Sequence, residues 1–150
     1  MIELTCCPST LQKGFSTYSP VALKELFNSQ KVNHILPYNG MDNNETEQKE
    51  FQNNNKHMSI SGAQQKYSLV VDNGQMRLSL EQEQATLLLK TKLSEYANKE
   101  ISPANEHLTM QIASQVYNIP TAANGLCFFQ NDEPAYITRR FDIAPNGRKF

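Results

Sequence analysis

Tyr67-Ser-Leu-Val-Val-Asp-Asn-Gly-Gln-Met-Arg-Leu-Ser-Leu80 alternates apolar and polar residues on both sides of Asp72-Asn73-Gly74. Successive side chains of a strand point to opposite faces. Tyr67, Leu69 and Val71 therefore share one face, and Met76, Leu78 and Leu80 continue it. Asp-Asn-Gly supplies residues that tolerate positive φ, as a tight hairpin turn requires. The stretch reads as a β-hairpin with one buried face. Ala85-Thr-Leu-Leu-Leu-Lys90 follows and reads as a buried strand, although so short an apolar run also suits a helix.

Downstream, Ser102-Pro103 marks a helix start, with Ser102 as cap and Pro103 at the first helical position. Leu108, Ile112 and Val116 share one face of that helix, with Ala113 beside it, and Asn118 and Pro120 end it. Two more strands are expected, near 125–129 and 135–141, separated by Asn131-Asp-Glu-Pro134. Strand, strand, strand, helix, strand, strand implies an α+β fold: an antiparallel sheet with one main helix packed against it. Upstream, residues 1–38 read as a small N-terminal helical module. Its helix starts at Ser19-Pro20 and carries Val21, Ala22, Leu23, Leu26 and Phe27. Residues 39–57 are polar, with Met41 and Phe51 as the only large apolar side chains, and read as a linker or an exposed, partly helical segment. Residues 58–150 form the main unit.

The chain has 150 residues, enough for one domain or two small modules. Fourteen basic and 15 acidic residues leave a net charge of -1. No basic field is present to follow a nucleic-acid backbone, so direct nucleic-acid binding is not expected. Cys6, Cys7 and Cys127 suit neither a disulfide framework nor a four-ligand zinc site, and no metal ligands are assigned. No secretory signal or membrane-length apolar run is read, which points to the cytoplasm.

Four elements carry candidate chemistry. In Met58-Ser-Ile-Ser-Gly-Ala-Gln-Gln-Lys66, small residues crowd the start of the hairpin, and Gly62 lets backbone N–H groups approach phosphate oxygens. The plain alternative is a surface loop, since the stretch is no Walker loop. Lys90 ends an apolar strand and can aim its ammonium at phosphates, or simply reach solvent from a strand end; Lys92 is the reserve. Glu106, near the first turn of the helix, could hold Lys90 or be a solvated carboxylate. Arg139-Arg-Phe-Asp142 is either a charged edge strand or a hinge.

Together with Pro103-Ala-Asn-Glu-His-Leu-Thr-Met-Gln-Ile-Ala113, Tyr117-Asn-Ile-Pro120 and Ile137-Thr-Arg-Arg-Phe-Asp142, that first segment resembles the amino-terminal part of HipA-like proteins, the serine/threonine kinase toxins of bacterial toxin–antitoxin systems. The resemblance runs from about Tyr38 to Phe150 and implies a kinase-like small lobe. It implies that Ser61, Gly62, Ala63, Gln64 and Lys66 belong to a loop covering nucleotide phosphates. Lys90 would contact phosphate and Glu106 would pair with it, while the backbone from Arg139 to Phe141 would hold adenine. Ser59 and Ser61 match autophosphorylated serines. ATP and Mg would be the cofactors of the full parent, a DNA-binding antitoxin a partner, and an aminoacyl-tRNA synthetase the family's kind of substrate. At Lys90 the chain reads Leu-Leu-Leu-Lys-Thr, without the family's proline after the lysine.

The sequence carries no His-Arg-Asp-x-x-x-x-Asn loop and no Asp-Phe-Gly magnesium motif. No catalytic residue is therefore assigned, and the chain alone is expected to be inactive, as a lobe truncated before the catalytic one. Such a lobe would expose an interface and self-associate. The competing reading is a non-enzymatic interaction module that binds an antitoxin or another protein. A Lys90–Glu106 pair facing the 61–65 loop favours the first reading; a Lys90 aimed at bulk solvent favours the second.

Overall fold

The computed structural model describes residues 1–41, 45–56, 65–93, 97–144 and 148–149. The hairpin forms as expected: β1 (Lys66–Asp72) and β2 (Gln75–Leu78) are antiparallel, with Asp72 opposite Gln75. Asn73 and Gly74 take φ of 49° and 76°, and positive φ at both turn residues matches the twist of the flanking strands. The strand ends at Leu78, so Leu80 is not on the buried face; it is 69% exposed. The chain turns there because the Leu80 N–H donates to the Glu83 carboxylate at 2.8 Å, and Arg77 grips the same carboxylate.

β3 (Leu87–Lys90) is a strand, and β4 (Asn124–Phe128) and β5 (Pro134–Arg139) complete a five-stranded antiparallel sheet in the order β2-β1-β3-β5-β4. The registers place Tyr67, Leu69, Met76, Leu78, Leu87, Leu89, Cys127, Ala135 and Ile137 on one face, all buried. Cys7, Tyr18, Ala22, Leu26, Phe27, Leu36 and Tyr38 join the same core. Thus residues 1–38 pack onto the sheet rather than standing apart from it. They also cover the outer edge of β4. The Leu126 N–H donates to the Pro8 carbonyl at 2.7 Å, and the Phe128 N–H to the His34 carbonyl at 2.9 Å. A covered edge cannot recruit another chain.

Helix α1 (Pro20–Phe27) has the expected start. The Ala22 N–H donates to Ser19 Oγ at 3.2 Å, with Pro20 in the first turn. Residues 45–56 of the polar segment form α2 (Glu45–Lys56), which packs on β1 and β2. One ring anchors it. Phe51 is 2% exposed, with its centroid 4.9 Å from Tyr67 and 5.1 Å from Tyr38. Asn54 adds a backbone splint: its Oδ1 accepts from the Ser68 N–H at 2.8 Å, and its Nδ2 donates to the Ser79 carbonyl at 3.0 Å.

The main helix, α3 (Ser102–Gln115), lies on the other face of the sheet, over β4 and β5. Ser102 is not its cap. A 3₁₀ turn at Lys99–Ile101 runs straight into the helix, and the Ser102 hydroxyl instead donates to the Lys99 carbonyl at 2.8 Å and accepts from the Leu93 N–H at 3.2 Å. The far end follows the sequence: Asn118 is left-handed and the Ile119 N–H closes on the Ala113 carbonyl at 2.9 Å. The shared face of Leu108, Ile112 and Val116 points to solvent and not to the sheet, with 50%, 42% and 66% exposure. Pro103 and His107 are the buried residues of α3. No helix among the described residues is long and apolar enough to cross a membrane.

Candidate functional site

Strand pairing builds a transverse row across the α3 face: Lys66 opposite Lys90, Lys90 opposite Tyr136, Tyr136 opposite Leu126. Directly opposed residues of antiparallel strands have Cβ atoms about 5 Å apart, so these side chains are neighbours by construction. The apolar run Leu87–Leu89 fixes β3 in the core, and that fixes where Lys90 emerges. Helix α3 brings Glu106 to it, and the Lys90 ammonium pairs with the Glu106 carboxylate. The two side chains retain 20% and 28% of their exposure, so the pair is sheltered but reachable. The ammonium also lies 5.4 Å from the centroid of the Tyr136 ring, within cation–π range.

A second lysine–glutamate pair stands nearby in the chain. Lys92 Nζ is 3.1 Å from Glu133 Oε2, and these side chains are more deeply buried, at 17% and 12% exposure. Glu133 Oε1 is buried without a hydrogen-bond partner. Lys92, the reserve candidate, is thus held by the β4–β5 turn.

Lys66 opens β1 opposite Lys90, so β1 begins at the lysine end of the sheet. Gln65 is tied down there by the Tyr67 hydroxyl, which donates to its Oε1 at 2.5 Å. Ser59, Ser61, Gly62, Ala63 and Gln64 lie outside the described residues.

At the far end of β5, Arg139 and Arg140 are committed to the fold. The Arg139 N–H donates to the Ala123 carbonyl at 2.8 Å, and its Nη1 to the Glu25 carbonyl at 3.0 Å, in the last turn of α1. The Arg140 N–H donates to the Thr86 carbonyl at 2.9 Å. Its guanidinium grips Asp142 by two bonds, of 2.9 and 2.6 Å, and holds that carboxyl below the usual carboxylate range. Both arginine amide N–H groups are therefore spent within the fold. Phe141 is 85% exposed there.

The cavities give a mixed picture. A space of about 140 Å³ lies beside Ser68, Glu81, Glu83, Gln84, Ala85 and Arg140. A hollow of about 710 Å³ lies elsewhere, between α2 and β2. Its wall carries Glu50 and Glu81, and its arginine, Arg77, is taken by Glu83 and Asp72. Such a wall does not suit phosphates, and neither hollow is lined by Lys90, Glu106 or Tyr136; the Lys90 row is the better candidate on its ion pair and register alone. No group of three or more His, Cys, Asp or Glu side chains among the described residues could hold a metal ion.

Sequence reasoning missed Tyr136 and Glu133. Tyr136 had a signal only through register, because its place opposite Lys90 follows from the pairing of β3 and β5. Burial pushes its hydroxyl up to about 12, and the Glu106 charge adds to the effect.

A protein-family model described as HipA-like C-terminal domain matches residues 58–149. No curated protein matches the chain.

Proposed function

The chain belongs to the family of proteins that carry a HipA-like C-terminal domain, and from that membership we propose that residues 58–149 form the nucleotide-holding part of a serine/threonine protein kinase. The observation that carries this reading is the Lys90–Glu106 ion pair. A strand lysine held by a helix glutamate is the device by which kinases present a cation to ATP phosphates. It stands at the end of the sheet where β1 begins, and the small-residue segment Ser61–Gln65 directly precedes β1 in the sequence. On this reading the segment lies at the start of the domain the model describes, the amino-terminal lobe of the kinase.

Lys90 and Lys66 would then face phosphate oxygens, with Glu106 fixing Lys90. ATP with Mg would be the nucleotide, and the residues for metal binding and proton removal would come from a second lobe. Phosphoryl transfer rests on positioning and charge stabilisation from both sides, so this chain alone would hold nucleotide without turnover. The family resemblance extends the proposal to autophosphorylation at Ser59 and Ser61, a DNA-binding antitoxin as partner, an aminoacyl-tRNA synthetase as substrate, and a cytoplasmic setting. A phosphate on Ser59 would add nearly two negative charges beside the ATP phosphates and drive the segment out of the site.

Calorimetric titration with Mg-ATP tests the reading. Wild-type protein should bind, and Lys90→Met should weaken binding at least tenfold. Equal affinity of the two would overturn it. The outward apolar stripe of α3 favours a second reading, an interaction module with no use for nucleotide. A chain that ignores Mg-ATP yet captures a partner through that stripe would be the outcome supporting it.

A further inference from the structure

Lys90 is held from two sides by different elements. Glu106 reaches it from α3, and Tyr136 lies beside it on β5, directly across the ladder. Tyr136 is 2% exposed, wedged between the sheet and the helix, so its ring cannot turn away without disturbing both. A lysine ammonium on a flexible four-carbon stem has no fixed position of its own. It has three N–H groups. A carboxylate and a ring face can occupy two of them and leave one for an incoming anion. The Tyr136 phenol stays protonated well above neutral pH, so the ring adds no competing charge.

We propose that Tyr136 is a positioning residue for Lys90. Its ring face, not its hydroxyl, sets where the ammonium stands before a phosphate arrives. This inference rests on the reading of Lys90 as a phosphate contact. It adds a ring to the lysine–glutamate pair and assigns that ring part of the nucleotide affinity.

Two substitutions and one spectroscopic measurement test it. Tyr136→Phe keeps the ring face and should bind Mg-ATP within twofold of wild type. Tyr136→Leu removes the face and should weaken binding about fivefold, the scale of a single cation–π contact. In wild type and Tyr136→Phe, the Lys90 ε-methylene should show an upfield ring-current shift by NMR, and Tyr136→Leu should abolish it. That shift reports position and not stability, and its absence in wild type would overturn the inference even if Tyr136→Leu fails to fold. If Tyr136→Leu binds Mg-ATP like wild type while Lys90→Met does not, the inference is overturned and the nucleotide reading stands. If Lys90→Met also binds like wild type, the nucleotide reading falls and the inference falls with it.

Discussion

Helices α2 and α3 are held to the same sheet by opposite means. The α2 sequence, Glu-Thr-Glu-Gln-Lys-Glu-Phe-Gln-Asn-Asn-Asn-Lys, is almost wholly polar, yet its main anchor is one apolar ring, Phe51, set among Tyr38, Tyr67 and Phe129, with Asn54 bonded to Ser68 and Ser79 beside it. On α3 the large aliphatic side chains Leu108 and Ile112 face outward, and polar groups do much of the fastening. His107 Nε2 donates to the Ser9 carbonyl at 2.7 Å, Gln111 to Asn124 Oδ1 at 2.9 Å, Gln115 to the Thr10 carbonyl at 2.9 Å, and Glu106 pairs with Lys90. Composition therefore does not tell which helix is anchored by burial. The difference suits the two positions. A helix that must carry a carboxylate to a lysine has to turn a polar face to the sheet.

The largest effect is expected at the α2 anchor. Phe51→Ala should cost about 3–5 kcal/mol, the range for emptying a fully buried aromatic site. Urea unfolding checks it. A loss below about 1 kcal/mol would mean that α2 is held by its polar contacts after all, and the contrast with α3 would collapse.

Next comes His107 on α3. His107→Ala leaves the Ser9 carbonyl without its donor in a buried place and should cost about 1–3 kcal/mol. The same residue gives a pH signature. Burial holds its imidazole below the ordinary range, against a smaller upward pull from the Ser9 hydrogen bond. The folded protein therefore keeps it neutral while the unfolded chain takes up a proton near pH 6.5. Its contribution is complete above that pH and is lost as pH falls through it toward the lower folded value. His34 is shifted in the same direction by burial. Stability measured between pH 8 and 5 should therefore decline toward acid, and less steeply in His107→Ala. Equal slopes would remove His107 from the account of how α3 is docked.

The Lys90–Glu106 pair should matter less to stability than to ligand binding. Glu106→Gln is expected to cost about 1 kcal/mol or less in unfolding, because a partly exposed pair is screened by water. Raising salt from 0.05 to about 1 M should erase most of that difference. Phe51→Ala should show no such salt dependence, which sharpens the contrast between the two helices.

The parts of this fold that were legible in the sequence are those set by near neighbours. Asn73-Gly74 fixed the hairpin turn, Ser19-Pro20 fixed the start of α1, and Asn118 fixed the end of α3, because each acts through its own backbone or the adjacent turn. The strand lysine and helix glutamate were legible as candidates, since one ends an apolar run and the other opens a helix. The docking of the helices was not. Helical periodicity shows that Leu108, Ile112 and Val116 share a face, and says nothing about which way the face turns. That is decided by partners such as Ser9 and Thr10, about a hundred positions away in the chain. Phe51 gave no periodic signal, because one ring among polar residues has no period. Leu80 was misplaced because Glu83 bends the chain one step before the alternation ends.

The smallest effect on stability is expected on the outer face of α3, and it tests the contrast from the other side. Residues 107–131 contain no Asp, Glu, Lys or Arg, and Leu108, Ile112, Val116, Tyr117 and Ile119 are all well exposed there. A contiguous apolar surface without charge attracts other apolar surfaces. Ile112→Lys puts a cation near the helix C-terminus, where the dipole favours it, so the change in stability should stay within about 0.5 kcal/mol. Sedimentation of wild-type protein should show mass rising with concentration, and Ile112→Lys should lower that rise. If Ile112→Lys instead destabilises the chain by 2 kcal/mol or more, the residue contributes to holding α3 in place. The helix would then be fastened by burial as α2 is, and not by its polar contacts.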